Sequence, residues 1–202
     1  MKKKYILLLM LSLIIIISIC LIYRNNNKED TDIKVKYPIY EYYKLNKVIT
    51  ENINYYLKDN TDNYYFLYID YKDYEYKEYI SIVLYISYFA GGAHPNYEIK
   101  TINYNKSTNK FIDINALINM DKDILNKLSI YSREYFSNND MFNDKVVFDM
   151  MIDGTKSIKD NYKYFNITSD GLIIYFNRYQ IAPYYYGDYS ITIPYNYLDL
   201  SI

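Results

Sequence analysis

Few places in this 202-residue chain hold residue types that could do chemistry. The single histidine, His94, closes the run Gly91-Gly92-Ala93-His94, just ahead of Pro95. Two glycines in succession permit backbone angles closed to other residues and let a partner approach the main chain. A catalytic or metal-binding histidine needs companions, and the sequence offers no second histidine and no H-E-x-x-H or H-x-E pattern. The plainer reading is a wide hairpin loop with the imidazole hydrogen-bonded to the loop backbone. A second feature is Ile181-Ala182-Pro183-Tyr184-Tyr185-Tyr186-Gly187-Asp188. Pro183 stiffens this loop and Gly187 releases it, so at least one of the three tyrosines should face solvent. Rigid aromatics on loops are anchors for protein or sugar partners. The competing reading packs them over the end of a sheet.

Carboxylate pairs such as Asp121 and Asp123, or Asp149 and Asp153, are common in the chain. Glycosidase chemistry depends on a separation in space that spacing along the chain does not give, so none is assigned. There is no G-x-S-x-G elbow, P-loop or dinucleotide fingerprint. The expectation is therefore a protein that is not an enzyme, with no cofactor and no metal site.

These loops must be carried by elements legible from periodicity. The start, Met1 to Lys4, is basic, and Tyr5 to Tyr23 follows without a charge. Nineteen helical residues span roughly 28 Å, close to the hydrocarbon thickness of a bilayer. Three lysines before the run place the N-terminus inside. The expected organisation is a cytoplasmic stub at 1–4, a transmembrane anchor at 5–23, a tether at 24–32 and an extracytoplasmic domain at 33–202. An uncleaved anchor, a lipoprotein modified at Cys20 and a cleaved signal all deliver that domain to the same side. Cys20 is the only cysteine, so the domain has no disulfides.

Beyond the N-terminal lysines, 20 basic residues face 24 acidic ones, a charge of about −4. So mild and mixed a balance argues against nucleic acid. The 31 tyrosines, with no tryptophan, read first as the codon bias of an A- and T-rich genome, so abundance alone singles out none of them.

From Ile33 to Tyr40, IKVKYPIY reads as an edge strand interrupted by Pro38. Leu45, Val48, Ile49, Ile53, Tyr56 and Leu57 make one stripe of a helix. Tyr64 to Tyr71 and Tyr79 to Phe89 read as strands, the second with Ile80, Ile82, Leu84, Ile86 and Tyr88 on one face. The half-polar opposite face, Ser81, Val83, Tyr85 and Ser87, points to partial cover on both sides. Tyr97 to Asn105 reads as the return strand, with a change of phase that predicts a bulge. A second helix of about 17 residues is expected from near Asp121, with Ile124, Leu128, Tyr131 and Tyr135 inward. Ser169-Asp170-Gly171 joins two strands as a hairpin. A last strand over Ser190 to Pro194 and a helical turn through Leu198 finish the chain. Strands and helices in separate blocks predict an α+β fold, a mostly antiparallel sheet with two main helices packed on it.

SIVLYISYFAGGAHPNYEIKTINYNKSTNKFIDINALI, followed by ITSDGLIIYFNRYQIAPYYYGDYSITIPYNYL, resembles the extracytoplasmic domain shared by RsiV-type anti-sigma factors and the N-terminal module of PdaC-type peptidoglycan deacetylases. With the opening strand and helix, the resemblance covers nearly the whole exported domain. It implies a binding domain of the bacterial cell envelope, and in the RsiV type a receptor for lysozyme. The matching contacts would be Gly91, Gly92, Ala93 and His94 in one loop and Pro183, Tyr184, Tyr185 and Tyr186 in the other. The sigma-binding segment and the deacetylase domain of those families have no counterpart here, so neither activity is expected. The runner-up expectation is a peptidoglycan-acting envelope enzyme or a glycan-binding module.

Overall fold

The structure is a computed structural model and describes residues 31–58, 64–200 and 202. The apolar run at 5–23 lies outside the described residues, as does most of the expected tether. No described helix is long and apolar enough to cross a membrane.

Five strands form the larger sheet, in the order β1-β2-β3-β4-β5: β1 (Asp32–Val35), β2 (Phe66–Tyr76), β3 (Tyr79–Phe89), β4 (Asn96–Asn105) and β5 (Lys110–Phe111). All neighbours are antiparallel except β1 and β2, which run parallel. β1 is an edge strand, as expected, and ends before Pro38. Helix α1 (Tyr43–Leu57) lies on one face of this sheet. Its buried stripe, Leu45, Ile49, Ile53 and Tyr56, meets Leu67 and Ile69 of β2 and Ile80, Ile82, Leu84 and Ile86 of β3. Two matched periods, one helical and one alternating, thus close one core.

A second sheet, absent from the sequence-based expectation, is built from β6 (Phe165–Ile167), β7 (Leu172–Phe176) and β8 (Tyr189–Ile193), in that order. Leu172, Ile174 and Phe176 of β7 face the larger core together with Phe165, Ile167, Ile191 and Ile193. The remaining helices supply the rest of that core: α2 (Ile114–Met120), α3 (Ile124–Ser137), α4 (Lys145–Gly154) and the short α5 (Tyr195–Leu198). The opposite face of the small sheet packs on the large one, with Tyr175 against Val83 and Ile99.

The seam between the sheets is polar. Ser81 donates to Asn103 Oδ1 at 2.7 Å and accepts from the Ile167 amide at 3.0 Å. Asn103 Nδ2 donates to the Phe165 carbonyl at 2.9 Å, and Asn166 Nδ2 to the Ile82 carbonyl at 3.1 Å. Buried polar groups are tolerable because partners satisfy them. This seam is the physical reason for the half-polar pattern of β3.

Several expectations need correction. The architecture is α+β and mostly antiparallel, but with two sheets and five described helices in place of one sheet and two main helices. No bulge interrupts β4, whose pairing with β3 is continuous from Tyr79↔Asn105 to Tyr88↔Asn96. The phase change reflects burial of Asn103 and Asn105, not an extra residue. The expected helix from near Asp121 begins at Ile124, with Asp123 as its N-cap and a separate α2 before it. Asp113 caps α2 by accepting from the Ala116 amide, which places a helix start upstream of Asp121. Tyr135 is exposed, and Phe136 is buried in its stead.

Candidate functional site

The first of the two loops joins β3 to β4 at 90–95. Gly91 and Gly92 have φ of +94° and +112°, in the left-handed region that favours glycine. A Cβ at Gly91 would lie 3.9 Å from the Tyr65 ring and one at Gly92 would meet nothing, so angle rather than space demands glycine. Ala93 and His94 are exposed.

The second segment runs from Asn177 to Asp188, between β7 and β8, and is pinned from three directions. Asn177 Oδ1 accepts from the Ile99 amide of β4 at 3.2 Å. Gln180 Nε2 donates to the carbonyls of Gly154 and Asn161. Ile181 and Ala182 are buried in the larger core. Tyr184–Tyr186 then form a 3-10 turn, ended by Gly187 at φ +84°.

These anchors bring the two loops together. The Tyr184 hydroxyl donates to the Pro95 carbonyl at 2.7 Å, and its ring stacks on His94 with centroids 3.8 Å apart and an interplanar angle of 25°. His94 Nδ1 is 3.0 Å from the same carbonyl. A carbonyl only accepts, so Nδ1 donates to it, and Nε2 lies 3.5 Å from the Tyr179 hydroxyl. The Arg178 guanidinium lies 4.6 Å from the Tyr184 ring and 3.8 Å from the Tyr97 ring. Tyr97, Arg178, Tyr184 and His94 thus form one contiguous group across loop and sheet, stacked at His94 and Tyr184 and tilted by 54° between Tyr184 and Tyr97. Each aromatic or cation–π contact in such a stack contributes about 1 kcal/mol. Asp188 steadies the base, with Oδ1 accepting from the Arg178 amide at 3.1 Å and Oδ2 3.6 Å from Nε.

Of the expected contact residues, His94 and Tyr184 meet directly, and Gly91, Gly92, Ala93 and Pro183 shape their loops. Tyr185 and Tyr186 do not join them. Tyr185 is 75% exposed and packs on Tyr186 with centroids 4.2 Å apart, while Tyr186 leans on the larger core. The three tyrosines diverge because a 3-10 turn rotates successive side chains by about a third of a circle. Arg178, Tyr179 and Tyr97 are functional candidates that motif reading passes over. The available signal was a lone arginine beside a tyrosine in NRYQIAPYYYGD.

Beside the stack, β2, β3 and β4 extend past the small sheet and leave a groove of about 250 Å³. Tyr68, Tyr85 and Tyr97 line it, with Asp70 and Asp188 among its acidic groups. Burial pushes the phenols of Tyr85 and Tyr175 above their ordinary range, so both remain protonated. Among the described residues, no group of three or more His, Cys, Asp or Glu is placed to hold a metal ion. His94 forms no ion pair there either.

An α+β domain with paired sheets and a two-loop aromatic stack defines the structural class, and comparison with known proteins finds a family match within it. Residues 115–196 match the family described as "Protein of unknown function (DUF3298)", so the chain carries a DUF3298 domain. A curated relative is the peptidoglycan-N-acetylmuramic acid deacetylase PdaC of Bacillus subtilis (strain 168), 33% identical over 129 residues. That match covers 63% of this chain and 27% of PdaC, so the chain spans about a quarter of its relative. The shared stretch is the DUF3298 domain and not a deacetylase catalytic domain. A DUF3298 family protein from Pseudomonas aeruginosa PAO1 has the same fold, with TM-score 0.65 and 17% identity over 84% of this chain and 83% of the other. A DUF3298 family member from Bacteroides fragilis NCTC 9343 aligns with TM-score 0.51 and 18% identity, over 77% of this chain and 61% of that one.

Proposed function

We propose that this is a non-catalytic binding domain of a bacterial cell envelope, held on the outer side of the membrane by the apolar run at 5–23. A lysozyme-like wall hydrolase is the first candidate partner and wall glycan the second. The observation that carries the reading is the stack of His94 on Tyr184, with Arg178 and Tyr97 behind it. Side chains held this firmly lose little entropy on binding, which is how rigid aromatic anchors produce affinity. A charge of about −4 beyond the N-terminal lysines adds modest steering toward a cationic partner.

The enzyme reading draws no support from the cluster. It needs a carboxylate working with His94 or Tyr184, whereas the described residues leave His94 without an ion pair and commit the Tyr184 hydroxyl to Pro95. Calorimetric titration of residues 31–202 with lysozyme is the test. Binding should weaken by about 2 kcal/mol in Tyr184→Ala, as expected for an anchor. No heat, and no protection of either loop from hydrogen exchange, would remove lysozyme as the partner.

A further inference from the structure

The described chain enters its fold at the end of the large sheet that carries the glycine loop. The Asp32 amide donates to the Tyr65 carbonyl at 3.2 Å, and the Tyr65 amide to the Phe89 carbonyl at 2.7 Å. Phe89 is the last residue of β3, so the Gly91-Gly92 loop starts beside the first residues of β1 and β2. A ribbon of rings runs across this end. Tyr65 packs on Phe89 with centroids 5.4 Å apart, Phe89 on Phe66 at 6.2 Å, and Phe66 on Tyr68 at 4.9 Å. Tyr65 is 56% exposed, and Phe66, Tyr68 and Phe89 are half-buried. A contiguous exposed aromatic surface, unlike a lone exposed ring, marks a place of interaction.

We propose that this aromatic end rests in the interfacial layer of the bilayer that holds the run at 5–23, on a surface of zwitterionic phospholipid. The inference rests on the reading of that run as a membrane anchor. Residues 24–31 separate the run from Asp32, at most about 28 Å of extended chain. So short a connection keeps the entry end at a high effective concentration against the bilayer, which no separate protein partner matches. Tyrosine and phenylalanine suit that layer, since their rings take up apolar surface and a phenol tip stays wet. Charge selects the lipid. Asp32, at the entry point, is paired, accepting from Lys34 at 2.9 Å and from the Tyr68 hydroxyl. Asp59 and Asp62 lead in sequence to Tyr64 with no basic residue between, which disfavours an anionic surface. The far end of the sheet is out of reach, because β2 runs about 33 Å from Phe66 to Tyr76. A Cβ at Gly91 would lie 3.9 Å from the Tyr65 ring, so the bilayer contact borders the glycine loop, and a partner reaching that loop must first draw the domain away from the lipid.

The protein has no tryptophan, so a single introduced one reports its own surroundings. The test reconstitutes the full chain into phosphatidylcholine vesicles, with and without bromine on the acyl chains as a quencher of tryptophan emission. Tyr65→Trp and Phe89→Trp are the probes at the entry end. Tyr43→Trp is the control, an 80% exposed site whose neighbour Tyr42 packs on Tyr104, opposite Ile80 near the β2–β3 turn. Circular dichroism matching wild type establishes that each variant is folded. A ring buried about 5–10 Å into the headgroup boundary meets the brominated chains, so both entry-end probes should lose about half their emission and Tyr43→Trp almost none. A chain that fails to float with the vesicles would overturn the anchor reading and this inference with it. A floating chain with both entry-end probes unquenched, or with Tyr43→Trp quenched equally, would overturn this inference alone. Quenching confined to anionic phosphatidylglycerol vesicles would do the same.

Discussion

Tyrosine does three different jobs in this molecule, and composition cannot tell them apart. Tyr184 and Tyr97 are surface rings held by a guanidinium and an imidazole. Tyr56 closes a core, donating to Glu98 at 2.7 Å. Tyr162 is fully buried and donates to the Thr155 carbonyl at 2.8 Å. Burial pushes the Tyr162 phenol up to about 12, above the ordinary value near 10. The raised value means that the folded state favours the neutral phenol. Its contribution is therefore complete below pH 10 and is lost as pH rises toward 12, a loss of roughly 3 kcal/mol. Tyrosinate absorbance followed against circular dichroism should show a set of late-titrating phenols ionising together with unfolding. Smooth ionisation of all tyrosines near pH 10 in a folded protein would contradict this. The same scale explains why sequence reading found His94 and Tyr184 but not Arg178. A glycine pair and a proline announce a loop, while an arginine in contact with two rings is visible only once β4 and the second loop are adjacent.

Elements were most legible where one period ran uninterrupted. The stripe of α1 and the alternation of β3 both emerged from the sequence because a single buried face imposed each. Where two faces were buried, the half-polar face of β3 announced its partial cover but not the covering element, since Ser81 and Asn103 carry no sign of the second sheet they bond to. Legibility failed at α4, a helix of only ten residues whose start is fixed by one side chain. Asp144 Oδ1 accepts from the amides of Val146 and Val147, so Asp144→Ala should cost about 1 kcal/mol in a thermal melt. Gly171 sets a stricter limit. Its φ is +143°, and a Cβ there would lie 2.2 Å from the Ile193 carbonyl oxygen. Gly171→Ala should therefore separate the β6–β7 hairpin from the end of β8, with a loss of about 3 kcal/mol or more. A near-neutral melting temperature in that variant would refute the close approach.

At the scale of the whole molecule, two sheets with separate cores behave as one body only if the seam between them holds. Asn103 is its hub, donating to Phe165 and accepting from Ser81. Asn103→Leu removes those bonds and leaves buried partners unmade, so the urea midpoint should fall by the equivalent of roughly 2–4 kcal/mol. An unchanged slope would mean that the sheets still unfold together, and a lowered slope that they part in separate steps.

The partners in the loop stack lie far apart along the chain: 85 positions separate His94 from Tyr179, and 89 separate Pro95 from Tyr184. As synthesis proceeds from the N-terminus, the β3–β4 hairpin exists long before anything can close over it. The proposed docking surface is thus a report of completion. An unfinished or prematurely stopped chain presents a bare glycine loop with no ring to back it, and the paired loops come into being only when the last third has folded.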